Sequence, residues 1–394
     1  ISDLIIALRT SKEFFYFFFW FLISFVAISL GWITVEYFGL KLSLTRRAAG
    51  KIEEDDILEI ETVISNSGFL PILNLVLEDR LTCAFSRERE KRFLLEYLGP
   101  GSKLNLKYRS PCPRRGRYEI GPFSVYFFDL WGLFYLKKTF FIYSEVYVYP
   151  RTFHIPKFPA LVKGAVPWFG IETSHVSGDE HEFYGIREYK PGDPIKRIHW
   201  LSTARKNKLI VKQFQRQVFF RASIVFNLDK DKNFGEGKES VAEYIIKIAA
   251  SVAKYFIERN VSVELIAHIG EITHIPFNKG EEHLEDIFKV LTIAQAESRI
   301  SMAELFQEFS EYIPNDSSLI VIMLDEDWEL LPAMLSLKAK NISLVPLVLV
   351  ASSFLRSHEK QKVIEFPEIK LPEGFDFAPI FFSCGDNLEQ AFLK

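Results

Sequence analysis

ASIVFNLDKDKN (Ala222–Asn233) runs from a strand-like apolar stretch straight into a loop of alternating acids and lysines. Ala222–Leu228 is apolar without a period-two break, which predicts a strand buried on both faces. Downstream, Val241, Tyr244, Ile245, Ile248, Ala249, Val252, Tyr255 and Phe256 recur at helical spacing. Val261–Ala267 reads as a second strand, His283–Leu291 and Ser301–Tyr312 as helices, and Leu319–Leu324 and Ser343–Val350 as further buried strands. Such alternation predicts a mostly parallel sheet covered on both faces, an α/β (Rossmann-like) domain.

In open α/β sheets, ligands gather at the carboxyl ends of the strands. One end here carries Asp229-Lys230-Asp231-Lys232-Asn233, and a later one Asp325-Glu326-Asp327. Asp229, Asp231, Asn233, Ser301 and Asp325 are candidate oxygen ligands for a hard cation such as Mg²⁺, with Ser298 an alternative to Ser301. A metal-dependent hydrolase would be built there. Lys230 and Lys232 could equally neutralise the acids with no metal, leaving solvated loop carboxylates.

Glu180–Phe214 (EHEFYGIREYKPGDPIKRIHWLSTARKNKLIVKQF) is the densest run of charge, aromatics and turn residues. From Arg187 to Arg216 nine Lys/Arg face two acids, so the segment is +7 inside a chain of net charge −3. His199 with Asp193 is a conceivable acid/base pair, but no Ser or Cys sits in a recognisable nucleophile elbow. Glu180-His181-Glu182 lacks the i, i+4 histidine pair of a metalloprotease helix. A structural reading has Pro191–Pro194 as a turn, Ile198–Trp200 opening a short helix or strand with Trp200 in the core, and Leu209–Val211 as a strand. Arg187, Arg197 and Arg205 then pair with Glu182, Glu188 and Asp193, or present a face to an acidic partner. No helix-turn-helix, zinc knuckle or aromatic RNA-binding strand is present, so no nucleic acid is expected. Anionic lipid headgroups compete as a reason for the charge.

Toward the N-terminus, Phe14–Val35 is 22 residues without a charge, long enough to cross a bilayer as a helix. Ile1–Leu8 reads as the tail of an earlier membrane helix. Arg9 and Lys12 precede the span, while Lys41, Arg46, Arg47 and Lys51 follow it, a bias that puts the large C-terminal part in the cytoplasm. Cys83, Cys112 and Cys384 form no close pair in sequence, which argues against a zinc site or a disulfide framework. Ile57–Ile64, Leu73–Leu77, Lys103–Tyr108, Arg117–Ile120, Phe123–Phe127 and Val146–Tyr149 are short alternating runs between turn residues, the pattern of an antiparallel β-sandwich. Thr152–Ser177 has three prolines and no period, as a linker would.

Taken together, Glu182-Phe183, Gly185-Ile186-Arg187-Glu188-Tyr189, Pro191-Gly192-Asp193-Pro194, Arg197-Ile198-His199-Trp200, Ser202-Thr203-Ala204-Arg205 and Leu209-Ile210-Val211 resemble the signature of the domain of unknown function 58 family. Arg115–Tyr118, Gly121-Pro122 and Val148–Arg151 match its upstream β-region, as does Asp129–Phe134 with Asp-Leu-Trp-Gly-Leu for the usual Asp-Pro-Phe-Gly-Leu. The resemblance implies a multidomain chain: a membrane anchor that is part of a hairpin (1–40), a β-sandwich (41–151), a linker and basic signature segment (152–216) and a von Willebrand factor A-like domain (217–394). The strand-end loop resembles that domain's metal-ion-dependent adhesion site, Asp-x-Ser-x-Ser, with Asp231 and Asn233 where serines belong. It also implies partnership with MoxR-type AAA+ ATPases and other A-domain proteins, with no established activity. The expectation is a membrane-bound, non-enzymatic adaptor whose partner surface holds Arg187, Glu188, Tyr189, Asp193, Arg197, His199, Trp200 and Arg205. A purely structural envelope scaffold is the third reading.

Overall fold

The computed structural model describes residues 13–39, 41–129, 131–158, 172–190, 193, 195–218, 221–315, 317–337, 342–355 and 379–393. Ile1–Leu8, the prolines and glycine of the 191–194 turn and part of the expected linker lie outside them. The chain divides into two units, Ile1–Tyr149 and Pro150–Lys394.

The first unit opens with helix α1 (Glu13–Gly39). Its Phe15–Gly39 stretch has a mean hydropathy of 2.1 and is long and apolar enough to cross a membrane. Nine strands follow: β1 (Leu42–Ala48), β2 (Lys51–Glu53), β3 (Ile57–Asn66), β4 (Ile72–Leu81), β5 (Glu90–Leu98), β6 (Lys103–Pro111), β7 (Gly116–Phe128), β8 (Tyr135–Phe140) and β9 (Ser144–Tyr149). They form a three-stranded sheet, β1-β3-β6, and a six-stranded sheet, β2-β9-β7-β4-β5 with β8 on β7. Pairing is antiparallel except for β2 with β9. One core holds Leu44 and Ile64 of the smaller sheet with Leu75, Leu77, Phe123, Val125 and Phe127 of the larger, so the two sheets pack face to face. Each such side chain contributes roughly 1.5–3 kcal/mol by leaving water.

Two sequence runs, Arg117–Ile120 and Phe123–Phe127, are one strand. Gly121-Pro122, which reads as a break, is a bulge: Phe123 pairs with Asp79 and Ile120 with Leu81, leaving one residue extra on β7. Gly121 has φ +122°, and a Cβ there would come within 2.3 Å of the Ile142 carbonyl. Only glycine fits.

A buried ion pair joins the sheets. Arg46 of β1 bridges Asp79 of β4, with both side chains almost fully buried. Tyr108 of β6 donates its hydroxyl to the same carboxylate. Arg46 also donates to the carbonyls of Ile120 (2.8 Å) and Ile142 (3.1 Å). Burial raises the Asp79 pKa above the ordinary value, against the opposing charge of Arg46.

In the second unit, Ile155 and Phe158 are buried, and the Phe158 ring packs 4.9 Å from Phe256 and 5.7 Å from Phe392. That end of the expected linker is therefore core. Its far end falls inside β10 (Glu172–Glu188), which forms a two-stranded antiparallel sheet with β11 (Ile210–Val218). The six-stranded sheet runs β14-β13-β12-β15-β16-β17, from β12 (Arg221–Asn227), β13 (Ser262–His268), β14 (Ile272–Asn278), β15 (Ser318–Leu324), β16 (Ser343–Leu349) and β17 (Ile380–Phe382). All pairs are parallel except the β14 edge. Between α2 (Trp200–Lys206, in the signature segment) and the end of the chain come α3 (Val241–Glu258), α4 (Glu281–Ile293), α5 (Met302–Phe309), α6 (Leu331–Leu337) and the short α7 (Leu388–Ala391). Helix α3 lies on β12, β13 and β15. Helices α5 and α6 share a core with Val225, Val321 and Met323. Side chains alternate across a strand, so both faces are covered, as the mainly apolar runs require.

Candidate functional site

The signature segment builds a small platform. Arg187 and Glu188 of β10 pair with Val211 and Ile210 of β11, and the Tyr189 N–H donates to the Leu209 carbonyl at 2.9 Å. A 3₁₀ turn, Ile195–Arg197, brings the chain back. Ile198 then bridges Val211, and the His199 N–H reaches the Ile210 carbonyl at 2.7 Å. Ile198, Ile210 and Val211 are buried beneath.

His199 is the N-cap of α2. Its Nδ1 accepts the Ser202 N–H at 3.3 Å and lies 2.7 Å from the Ser202 Oγ. At the other side of the turn, the Ile210 N–H donates to Thr203 Oγ1 at 3.1 Å. Asn207 closes the helix in the left-handed region, where asparagine is among the tolerated residues. Pinned this way, α2 turns Trp200 and Leu201 outward. They are 64% and 62% exposed, and Ile195 beside them is 70% exposed. This corrects the expectation that Trp200 packs in the core: the buried anchors are Ile198, Ile210 and Val211, and the tryptophan is displayed.

The expected charge network forms in part. Arg187 grips Asp193 with both terminal nitrogens at 2.6 Å, and the Lys190 N–H adds a third donor at 2.8 Å. The Arg187 hydrogen bonds, then that N–H, hold the Asp193 carboxyl down at about 2. Glu188 takes Lys208 at 2.9 Å, and the Glu182 side chain lies outside the description. His199 faces Ser202 and not Asp193. The Ser–His contact spans one helical turn, and among the described residues no carboxylate is recorded against the ring. It is a cap rather than an acid/base couple. Lys190, Lys196, Arg205 and Lys206 are exposed around the apolar tip, and Arg197 is half-buried. Arg205 and Lys206 also sit in the last turn of α2, where cations complement the helix dipole.

At the strand ends, four of the five expected ligands accept backbone N–H groups, and among the described residues Asp231 contributes only its own N–H. Asp229 Oδ1 accepts the Asp231 N–H at 2.9 Å. Asn233 Oδ1 accepts the Ala242 N–H at 3.0 Å, in the first turn of α3. Asp325 Oδ1 accepts the Ala351 N–H at 3.0 Å. Ser301 is the N-cap of α5 in a reciprocal capping box with Glu304. Ser298 is fully buried and pairs its backbone with Leu228 and Lys230. Into the middle comes Lys232, whose Nζ lies 2.5 Å from Asp327 Oδ1. Burial opposes that ammonium, but Asp327, then Asp229 and Glu326, outweigh it and raise its pKa. Among the described residues no three His, Cys, Asp or Glu side chains come together as a metal cluster. The donors present do not fit a divalent cation, because a lysine already supplies the positive charge.

Sequence reasoning offered Lys232 as a neutraliser of the strand-end acids but did not single out Asp327, 95 residues away, as its partner. It also missed the outward turn of Trp200, whose only sequence signal is the His199–Ser202 capping spacing.

The molecule is thus an N-terminal apolar helix, a β-sheet unit and a mixed α/β unit that displays a capped, aromatic-tipped helix. Residues 185–345, covering the end of that segment's first strand through most of the sheet, match the family described as "Protein of unknown function DUF58". The recognition drawn from the signature holds: this part of the chain matches that family's model. Over 254 residues the chain is 24% identical to the uncharacterized protein YeaD of Bacillus subtilis (strain 168). The match covers 63% of this chain and 61% of that protein, so the chain spans about three fifths of the relative's length. Among solved structures, the CARDB domain of the PF1109 protein from Pyrococcus furiosus matches 28% of this chain and 93% of its own, at 16% identity and a TM-score of 0.21. The putative ApaA protein from Bordetella pertussis matches 28% and 93%, at 17% identity and a TM-score of 0.19. Scores this low carry no fold assignment.

Proposed function

We propose that the chain is a membrane-anchored adaptor whose α2 platform docks a protein partner. The observation that carries this is the exposure of Trp200 on a helix whose every end is tied down. Leaving a tryptophan, a leucine and an isoleucine in water on a rigid support costs apolar burial for no gain in folding. Trp and Arg in such settings dominate binding energetics, and the surrounding cations favour an acidic partner face.

The partner is a MoxR-type AAA+ ATPase acting in assembly or maturation of other proteins, with the platform on the cytoplasmic side. The family resemblance motivates that choice, and the Lys/Arg bias after α1 supports the orientation. The α/β unit is von Willebrand factor A-like: its strand order, with one antiparallel edge, supports this reading, and domains of that kind serve in protein contacts. The hydrolase reading gains no support, since Asp229 and Asp325 each accept a structural backbone N–H and no cluster of metal-ligating side chains forms among the described residues.

Pull-down of the detergent-solubilised full chain with the cognate ATPase tests the proposal. Trp200→Ala with Leu201→Ala should weaken capture at least about tenfold, the loss of a central hot spot. Charge reversal at Arg205 should make binding less salt-sensitive. Undiminished capture by both variants would remove the platform from the function.

A further inference from the structure

The turn between β7 and β8 is bound to helix α1. The Phe25 ring lies 4.5 Å from Trp131. Four residues further along α1, Ser29 donates to Asp129 Oδ2 at 2.5 Å. Ser29 and Ile33, one turn apart, are buried. Asp129 is 1% exposed and holds the turn together: its carboxylate accepts the N–H groups of Phe134 (2.7 Å) and Trp131 (3.2 Å) as well as the Ser29 hydroxyl. Gly132, at φ +71°, supplies the left-handed residue the turn needs. The tip so fixed presents Trp131, Leu133 and Tyr135 at 48%, 52% and 61% exposure.

Crossing a hydrocarbon core takes about 20 apolar residues. Any 20-residue window within Phe15–Gly39 contains residues 20–34, and so Phe25, Ser29 and Ile33. If α1 enters a bilayer, the turn bonded to Phe25 and Ser29 enters with it. At about 1.5 Å per residue, Phe25 lies about 18 Å along α1 from Tyr37. Near Tyr37 the features are those of a membrane surface: the Lys138 ammonium sits 5.8 Å from the Tyr37 ring, and such lysines reach for headgroups. The Asp129 carboxylate takes its hydrogen bonds from Ser29 and the turn's own N–H groups.

We propose that the β7–β8 turn is a second lipid-contacting element, with Trp131 and Leu133 buried among acyl chains beside α1 and Lys138 at the headgroups. This rests on the membrane-anchored reading above. The β unit is then partly sunk in the membrane, and the bilayer surface lies near Tyr37.

Site-directed spin labelling of the full chain in phosphatidylcholine–phosphatidylglycerol vesicles tests it. Cys83 and Cys112 are buried, so Cys384→Ser provides the background. Labels replace Trp131, Leu133, Phe21 of α1 and Phe85, which is exposed beside the core that α1 does not join. Expected is accessibility to oxygen several-fold above that to a water-soluble nickel complex at 131, 133 and 21, with the reverse at 85. Water-like values at 131 and 133 with lipid-like values at 21 would overturn the proposal and leave the membrane reading standing. Water-like values at all four positions would overturn both. Lipid-like values at Phe85 too would also overturn it, because the whole unit would then be adsorbed. The two exposed turn positions are independent variants, so misfolding of one leaves the other to decide.

Discussion

The Lys232 ammonium lies 2.5 Å from the Asp327 carboxylate, across the carboxyl ends of β12 and β15. The acids at these strand ends come with a cation tethered to the chain. Asp327 is further held by the Leu324 N–H at 3.1 Å. Calorimetric titration of the full chain with Mg²⁺ or Mn²⁺ should therefore give no saturable heat at millimolar metal. Lys232→Ala leaves a buried carboxylate short of a charged donor and should cost about 1–3 kcal/mol in thermal or chemical unfolding.

Ser301 separates the two readings of the same loop. As the N-cap in a capping box, Ser301→Ala should cost about 0.5–2 kcal/mol of stability, while Ser301→Asp, another good cap, restores most of it. A metal ligand would behave otherwise: Ser301→Ala would leave stability unchanged without metal and weaken metal binding.

The Arg187–Asp193 clamp sets a pH response. The Asp193 pKa falls from 3.8 to about 2 on folding. A depressed acid favours the folded state above the unfolded pKa and loses that contribution as pH falls. The clamp should hold above pH 3.8 and release as pH drops toward about 2. Carboxyl NMR titration of Asp193 checks this, and Arg187→Gln should move its midpoint back up toward the ordinary value.

Between the sheets, Asp79 and Arg46 depend on each other. Asp79→Ala leaves a buried guanidinium unpaired and should destabilise the β unit by about 3–5 kcal/mol. Replacing both residues by apolar ones of similar volume should cost less than either single change. Thermal unfolding of the three variants decides it.

Trp200→Ala should leave stability within about 0.5 kcal/mol, as for surface positions generally, while reducing partner capture. A loss of several kcal/mol would mean that the ring is packed and the platform reading is wrong.

Much of the architecture was legible because burial imposes periodicity. Strands β12, β13, β15 and β16 are buried on both faces and read as mainly apolar runs, with Ser223 and Glu264 hydrogen-bonded to each other inside β12 and β13. Helix α3 carries its apolar stripe at helical spacing. Phe14–Val35 has no charge and forms most of α1. Where one face is wet or a residue breaks the pattern, the signal fades. Edge strand β14 includes Pro276 and alternates half-buried with exposed positions, and it did not stand out. Gly121-Pro122 reads as the end of a strand and is a bulge inside one.

The candidate site was harder. The capping pair His199 and Ser202 is local, three residues apart, and its spacing is visible in the chain. Whether Trp200 then points inward or outward depends on what lies beneath α2, and Ile198, Ile210 and Val211 fill that space first. Asp229, Asp231, Asn233, Ser301 and Asp325 share the residue types of an oxygen-ligand set. Sequence cannot tell a carboxylate awaiting a metal from one already bonded to a lysine or a backbone N–H.

The sequence by itself determined the elements and their order, because hydrophobic periodicity and turn chemistry are local. It also carried the match to the family model, because the signature is a linear string. Tertiary structure alone decided the partners: Lys232 with Asp327, Arg46 with Asp79, and Ser29 with Asp129. Each pair is brought together by sheet or helix packing over 33 to 100 residues of chain. Charge and hydrogen bonding act over a few ångströms of space, whatever the separation in sequence.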